Sequence, residues 1–242
     1  MSARRLPRSV VAFLLLATIT LIAAACSPGA STVSPTPQLT IAPTGTPSVA
    51  GTGAGPKEPC ATTPGTGCLL FGGDYRSTRF GGGVSLHLVG DEWTNTANEA
   101  DVLVLFAGGG AFGGTPDESL VLVHGAPKLR AAAASVTDPD QAKAILVAIA
   151  GLAVTPVAGP VIDGQAGTVF RVANTGSASI TLWRYPTTTG AGSYDLPAGS
   201  SAEVHWLAVG GVPTIVAILA PTNKLDATLS DLDPTLASIH FG

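Results

Sequence analysis

AEVHWLAVGGVPTIVAIL, residues 202–219, is two apolar runs joined at Gly210 and Gly211. A two-residue glycine turn suits the twist of paired strands, so the stretch predicts a β-hairpin. Just upstream, LAVTPVAGPV (152–161), GTVFRVA (167–173) and SITLWRY (179–185) are short apolar segments of the same kind and extend the sheet. Downstream, Leu225, Leu229, Leu232, Leu236 and Ile239 recur at four- and three-residue steps, which places one apolar stripe along a helix. Pro234 is expected to kink that helix or to begin a second one.

DPDQAKAILVAIAG (138–151) carries the clearest helix signal. Asp138 stands as N-cap, Pro139 at the first helical position, Gln141 three residues after the cap and Gly151 as the stop. Ile145, Leu146 and Ile149 give it an apolar face for a sheet. In the first half, VSLHLVG (84–90) alternates as a half-buried strand does, and DVLVLFAGG (101–109) and SLVLVHG (119–125) follow. Glycine clusters at 81–83, 108–110 and 113–114 separate them, which predicts an antiparallel meander. Strands followed by helices at two places predict an α+β fold, an antiparallel sheet with helices packed against it.

The first sixty residues follow other rules. Arg4, Arg5 and Arg8 precede an apolar run over 10–25, the pattern of an export signal. The run falls short of the roughly 20 residues that span a bilayer, and small residues follow it rather than a basic flank, so cleavage is favoured over a permanent span. Ala23 and Ala25 suffice for ordinary secretory cleavage. IAAAC (22–26) also resembles a bacterial lipobox, with Ala23 where leucine is commonest and Cys26 as the residue that receives lipid. A twin-arginine signal fits less well, because ARRLPRS lacks Phe-Leu-Lys after the arginine pair.

Cysteine number supports the lipid reading. Three cysteines in an exported chain leave one over. With Cys26 acylated, Cys60 and Cys68 remain to form a disulfide around the turn-forming ATTPGTG (61–67) in an oxidising compartment. Residues 27–59 are Ser, Thr, Pro, Gly and Ala with almost no charge, a composition that cannot bury enough surface to order itself. As a flexible coil this tether spans about 30 Å and as polyproline II about 100 Å. The expected organisation is a signal peptide over 1–25, lipidated Cys26 and tether over 26–59, and one domain over 60–242. Cleavage removes three arginines, which takes the net charge from −4 to −7. An acidic chain without a Lys/Arg cluster argues against nucleic acid and polybasic membrane docking, and leaves the lipid as the membrane contact.

No catalytic residue, metal site or cofactor is assigned. G-x-S-x-G is absent, and the Gly-Ser pairs of NTGSAS and PAGSSAE read as turns. His87, His124, His205 and His240 have no metal-binding spacing. AGGGAFGGTPDES (107–119) lacks the lysine and the following helix of a phosphate loop. Asp226, Asp231 and Asp233 lack the glycine and glutamate of an EF-hand. Trp93, Trp206, Trp183 and Tyr185 are the aromatics of interest. Trp183 and Tyr185 lie two apart on one strand and share a face, a ligand-stacking platform if exposed and core if covered.

A resemblance covers most of 60–242. The capped helix, Gly164-x-x-Gly167, the hairpin, the acidic-leucine helix and the closing SIHF (238–241) resemble uncharacterised secreted and lipoprotein domains of actinobacterial type. YRSTRFGGGVSLHLVGDEW (75–93), with Tyr75, Phe80 and Trp93, matches their opening. Such domains are similar in outline to the PsbP-like α/β/α sandwich, a fold of binding and accessory proteins, which implies fold more than function. The expectation is a lipid-anchored protein on the outer face of the cell membrane, whose non-enzymatic domain binds an unknown protein or small molecule. An envelope hydrolase built from scattered Asp and His is the alternative.

Overall fold

The computed structural model describes residues 55–60, 67–90, 92–107, 118–188 and 190–242. The leader, Cys26 and most of the tether lie outside the described residues. The chain opens with β1 (Cys68–Leu70), β2 (Gly73–Ser77), β3 (Val84–Leu88), β4 (Trp93–Asn98), β5 (Val102–Ala107), β6 (Ser119–His124) and β7 (Lys128–Leu129). Helix α1 (Pro139–Val147) follows, then β8 (Leu152–Pro156), β9 (Thr168–Asn174), β10 (Ile180–Thr187), β11 (Gly190–Leu196), β12 (Ser200–Val209) and β13 (Val212–Pro221). Helix α2 (Leu225–Ala237) and β14 (His240–Phe241) close the chain.

Among the described residues, eight strands form one central antiparallel sheet in the order β1-β4-β5-β6-β13-β12-β9-β8. Two three-stranded sheets, β11-β10-β7 and β14-β3-β2, complete the α+β fold. The central strands are buried on both faces, which is why VLVLF (102–106), LVLV (120–123) and IVAIL (215–219) are unbroken apolar runs. Val102, Val104, Val121, Val123, Ile215 and Ala217 point into one core, closed by Leu129, Leu182, Trp183 and Tyr194 of the β7-β10-β11 sheet and by α1. Leu103, Leu105, Leu120, Leu122, Val216 and Ile218 point into the other, closed by Tyr75, Val84, Leu86 and Leu88 of the β2-β3-β14 sheet and by α2. Ala142 and Leu146 of α1 belong to the first core, and Leu232 and Leu236 of α2 to the second.

The hairpin forms as its glycines require: β12 and β13 pair from Ser200↔Pro221 to Val209↔Val212, and Gly210 and Gly211 turn between them at φ 57° and 81°. Asp138 caps α1 by accepting from the Asp140 amide at 2.8 Å, with Pro139 in the first turn. The helix ends at Val147, one turn short of Gly151, which instead serves the connection to β8 at φ 88°. Helix α2 passes through Pro234 as a single element. Ser230 and Pro234 are both exposed, so the carbonyl that loses its proline partner faces water.

The meander is real but shifted. It consists of β4, β5 and β6, whereas β3 pairs with β2 and β14 in a separate sheet. Trp93 begins β4. Residues just ahead of Cys60 also bond to the folded part. Lys57 adds in parallel beside β2, its amide 2.9 Å from Asp74 O and its carbonyl accepting from the Arg76 amide at 2.8 Å. Glu58 accepts from the Thr78 amide, and Asn98 Nδ2 donates to the Pro59 carbonyl at 2.7 Å. Cys60 and Cys68 are joined in a disulfide with Cα atoms 6.2 Å apart.

Candidate ligand-binding cleft

Strand β10 lies in the middle of its small sheet, and this decides the fate of the two aromatics that the sequence singles out. Trp183 sits opposite both Leu129 of β7 and Tyr194 of β11, and a register shift between Thr181 and Trp183 lets Leu182 and Trp183 both turn inward. Trp183 is fully buried and stacks on Tyr194, with ring centroids 4.5 Å apart and planes within 7°. It is core, and does not reach the surface. Tyr185, two residues on, is half-buried and packs against the edge of the same core. It sits opposite Gly192, where a Cβ would lie 2.2 Å from Tyr185 Cε2. The missing side chain is the space that the tyrosine ring fills.

Tyr185 forms one wall of a cleft of about 240 Å³ between the β10–β11 hairpin and the central sheet. Phe106 of β5 and Tyr194 of β11 supply the other aromatic surface, over an aliphatic floor that includes Val104, Val121 and Leu219. Ser119, Ser193 and Asp195 add the polar positions. The Tyr194 hydroxyl makes no hydrogen bond of good geometry, and its pKa is pushed well up by burial, which the nearby Ser119 side chain offsets only in part. The Tyr185 hydroxyl, 3.4 Å from the Ser193 carbonyl, is also raised, first by burial and then by the negative charges of Asp195 and Glu99.

Both of those carboxylates are held in place. Asp195 accepts from the hydroxyls of Thr181 and Ser193. Glu99, in the turn between β4 and β5, accepts from the Thr188 amide at 2.6 Å and the Thr188 hydroxyl at 3.1 Å. That clasp ties the residue following β10 to the turn between β4 and β5 of the central sheet.

A second, wider groove of about 470 Å³ runs between the start of α1 and the β12–β13 turn, past Thr137, Gly167, Leu207 and Pro213. Trp206 lies beneath it, 4% exposed, with Nε1 donating to the Thr137 carbonyl at 3.3 Å. Trp93 is likewise buried and donates to the Val89 carbonyl at 2.7 Å.

The histidines are dispersed. His124 meets the edge of Phe80 at 5.7 Å, His87 pairs with Asp74 at 2.7 Å, and His240 pairs with Asp163 at 2.9 Å. His205 is fully buried and donates from Nε2 to Glu203 Oε1 at 3.1 Å, leaving Nδ1 without a partner. Burial raises the Glu203 pKa, but the hydrogen bonds from His205 and Arg171 outweigh it and the net shift is downward. Of the three C-terminal aspartates, Asp226 pairs with Arg171 at 2.7 Å, and Asp231 and Asp233 are exposed on α2. Among the described residues no three His, Cys, Asp or Glu side chains are grouped to hold a metal ion, and no helix is long and apolar enough to cross a membrane.

Phe106, Tyr194, Asp195 and Glu99 escape notice in the sequence. Phe106 ends an apolar run that reads as pure core, and Tyr194 lies in GAGSYDL, whose glycines read as loop. The alternation of Tyr194 and Leu196 is the one available signal. A scan of known protein families finds none that matches this sequence, and a search of curated proteins finds no match either.

Proposed function

We propose that the protein is a lipid-anchored lipoprotein of the cell envelope, acylated at Cys26, whose domain binds a small ligand in the cleft of Phe106, Tyr185 and Tyr194 and performs no chemistry on it. The observation that carries the reading is the cleft itself, an aromatic-walled hollow with a few polar groups, which is the common form of a small-molecule site. The likeness to a PsbP-like α/β/α sandwich belongs to the same proposal. It is supported by the positions of α1 and α2 in opposite cores of the central sheet. The signal pattern before Cys26 and the unpaired count of cysteines support the anchor.

The hydrolase alternative has Glu203 and His205 as its strongest pair. Their side chains are 5% and 0% exposed, and Glu203 is already engaged by Arg171, which favours a structural role. Intact-mass measurement of the protein from the membrane fraction tests the anchor. A chain beginning at Cys26 with the added mass of diacylglycerol is expected, and an unmodified chain released by buffer alone overturns it. Turnover of an ester, glycoside or peptide that is lost in His205→Asn, with the fold intact, overturns the non-enzymatic reading.

A further inference from the structure

We propose that the cleft takes a compact, uncharged and largely apolar molecule that carries one carbonyl oxygen. The inference rests on reading the cleft as the ligand site, and names the chemistry that it admits.

The floor is set by strand register. Phe106 of β5, Ser119 of β6 and Leu219 of β13 stand opposite one another in one row across the central sheet, with their side chains on the same face. The next row on that face, Val104, Val121 and Ala217, is apolar throughout. In these two rows Ser119 is the one polar side chain, set between two larger apolar ones, and the floor dips where it stands. From the facing sheet, strand alternation turns Tyr194 and Leu196 of β11 inward and Ser193 and Asp195 outward. The Asp195 carboxylate accordingly bonds to the Thr181 and Ser193 hydroxyls, on the outer side of its sheet. Asp195 is the sole acidic or basic residue among the described residues that line the cleft, so they bring no charge into its interior. An ion entering it would lose its hydration without gaining a counter-charge, a cost that a neutral molecule escapes.

Two hydroxyls remain inside. That of Tyr194 is buried without a hydrogen bond, and the Ser119 side chain lies beside it. Buried polar groups normally have a partner. Burial also keeps the Tyr194 hydroxyl protonated, so it stands as a donor. The Tyr185 hydroxyl is already engaged by the Ser193 carbonyl at the exposed rim. A carbonyl oxygen has two lone pairs and can accept from Tyr194 and Ser119 at once, and it brings no further donor that the apolar walls would leave unpaired. At about 240 Å³ the hollow is smaller than the roughly 300–1,000 Å³ of sites for larger ligands, which suits a compact molecule.

The test uses the full-length chain in a dilute neutral detergent and follows the Phe106 and Tyr185 ring resonances during titration with acetophenone and with cumene, a hydrocarbon of matching shape. The detergent takes up the same share of probe for every variant, so ratios between variants are read. Tyr194→Phe, which keeps the ring and its stack on Trp183, should weaken acetophenone about fivefold and leave cumene unchanged. Ser119→Val fills the dip and should weaken both probes. Benzoate and benzylammonium, which put a charge on the same ring, should bind at least about tenfold more weakly than acetophenone. Unchanged thermal melting of each variant separates these effects from unfolding. An equal effect of Tyr194→Phe on both probes, or none on either, overturns recognition of the oxygen and leaves the cleft as an unselective apolar site. A charged probe that binds as tightly as acetophenone overturns the neutral class. Binding of none of the four probes, with the ring resonances unmoved, overturns the class and the cleft as a ligand site together.

Discussion

Arg171 Nε lies 2.9 Å from Glu203 Oε2, a half-buried guanidinium on β9 facing a buried carboxylate on β12. The same guanidinium reaches Asp226 on α2, so one side chain links the central sheet to the helix that covers it. Removing the cation leaves Glu203 with only its contact to His205 Nε2 in a place that water hardly reaches. Breaking a fully buried pair costs about 3–5 kcal/mol. Arg171 is about one-third exposed, so the expected loss for Arg171→Met is smaller, about 2 kcal/mol. Asp226 is 83% exposed, and Asp226→Asn should change stability by no more than about 0.5 kcal/mol. Urea denaturation measures both, and equal effects of the two substitutions would refute the buried-pair account.

The acid stability of the domain has a definite sign. Glu203 is depressed by His205 and Arg171 against the opposing effect of burial, and Asp163 by the Phe241 amide at 2.9 Å and by His240. A carboxylate whose folded-state pKa lies below its unfolded value of about 4 adds stability above that value. The contribution disappears as pH falls through the lower, folded-state value. The urea midpoint should therefore drop steeply below about pH 4, and the drop should be shallower in Asp163→Asn. Asparagine is the right replacement because residue 163 has φ 51°, which it tolerates better than other side chains. A slope identical to that of the parent protein would sink the assignment.

The Trp183–Tyr194 stack separates packing from polar satisfaction. Trp183→Ala removes a large, wholly buried ring and should cost about 3–5 kcal/mol. Tyr194→Phe keeps the stack and removes a buried hydroxyl that has no good hydrogen bond, so the change should be neutral or slightly stabilising. Thermal unfolding of the two variants reads this directly. A large loss in Tyr194→Phe would mean that the Ser119 contact matters more than its geometry indicates.

What the sequence discloses here is mostly local. The β12–β13 turn needs two residues at positive φ, and two glycines announce it. Helix α1 needs a cap, and Asp138–Pro139 announces that. Strand β4, WTNTAN, stays hidden because its pairing with β5 and β1 depends on partners rather than on apolar residues of its own. The same holds for β11, GAGSYDL, where Gly192 makes room for Tyr185 across the hairpin. The cleft is the least legible feature, because Phe106 and Tyr185 meet only after two sheets have packed face to face. Trp183 and Tyr185 do share a face, yet one becomes core and the other rim, according to how far the central sheet extends beneath them.

Gly192 offers a way to alter the cleft without touching a ring. Its added Cβ in Gly192→Ala collides with Tyr185 Cε2 at 2.2 Å, and the ring is the outer end of a half-buried side chain that can swing aside. Stability should fall by no more than about 1 kcal/mol, in the range of a side chain forced from its preferred rotamer. The Tyr185 ring resonances should move while those of Trp183 stay. A variant in which both rings shift would show that the hairpin, and not the one side chain, gives way.

The start of the domain is held twice, and the two devices should fail differently. The disulfide closes a loop between residues eight apart in sequence, worth about 2–3 kcal/mol in the chain-entropy account. Asn98 acts within the folded state. It is buried, accepts from the Ser77 hydroxyl at 2.5 Å, and donates to Glu58 at 3.2 Å and to the Pro59 carbonyl at 2.7 Å. Asn98→Ala strands those groups and should cost about 2–3 kcal/mol. Replacing Cys60 and Cys68 with alanine should lower global stability by a similar amount while residues 57–59 remain docked. Hydrogen exchange discriminates, because the Lys57, Arg76 and Thr78 amides all bond across this junction. Their protection should fall only with global stability in the cysteine variant, but far more in Asn98→Ala, where the segment is released locally. Selective loss of protection at these three amides in the cysteine variant, with Asn98 in place, would show that the disulfide alone holds the chain to the sheet.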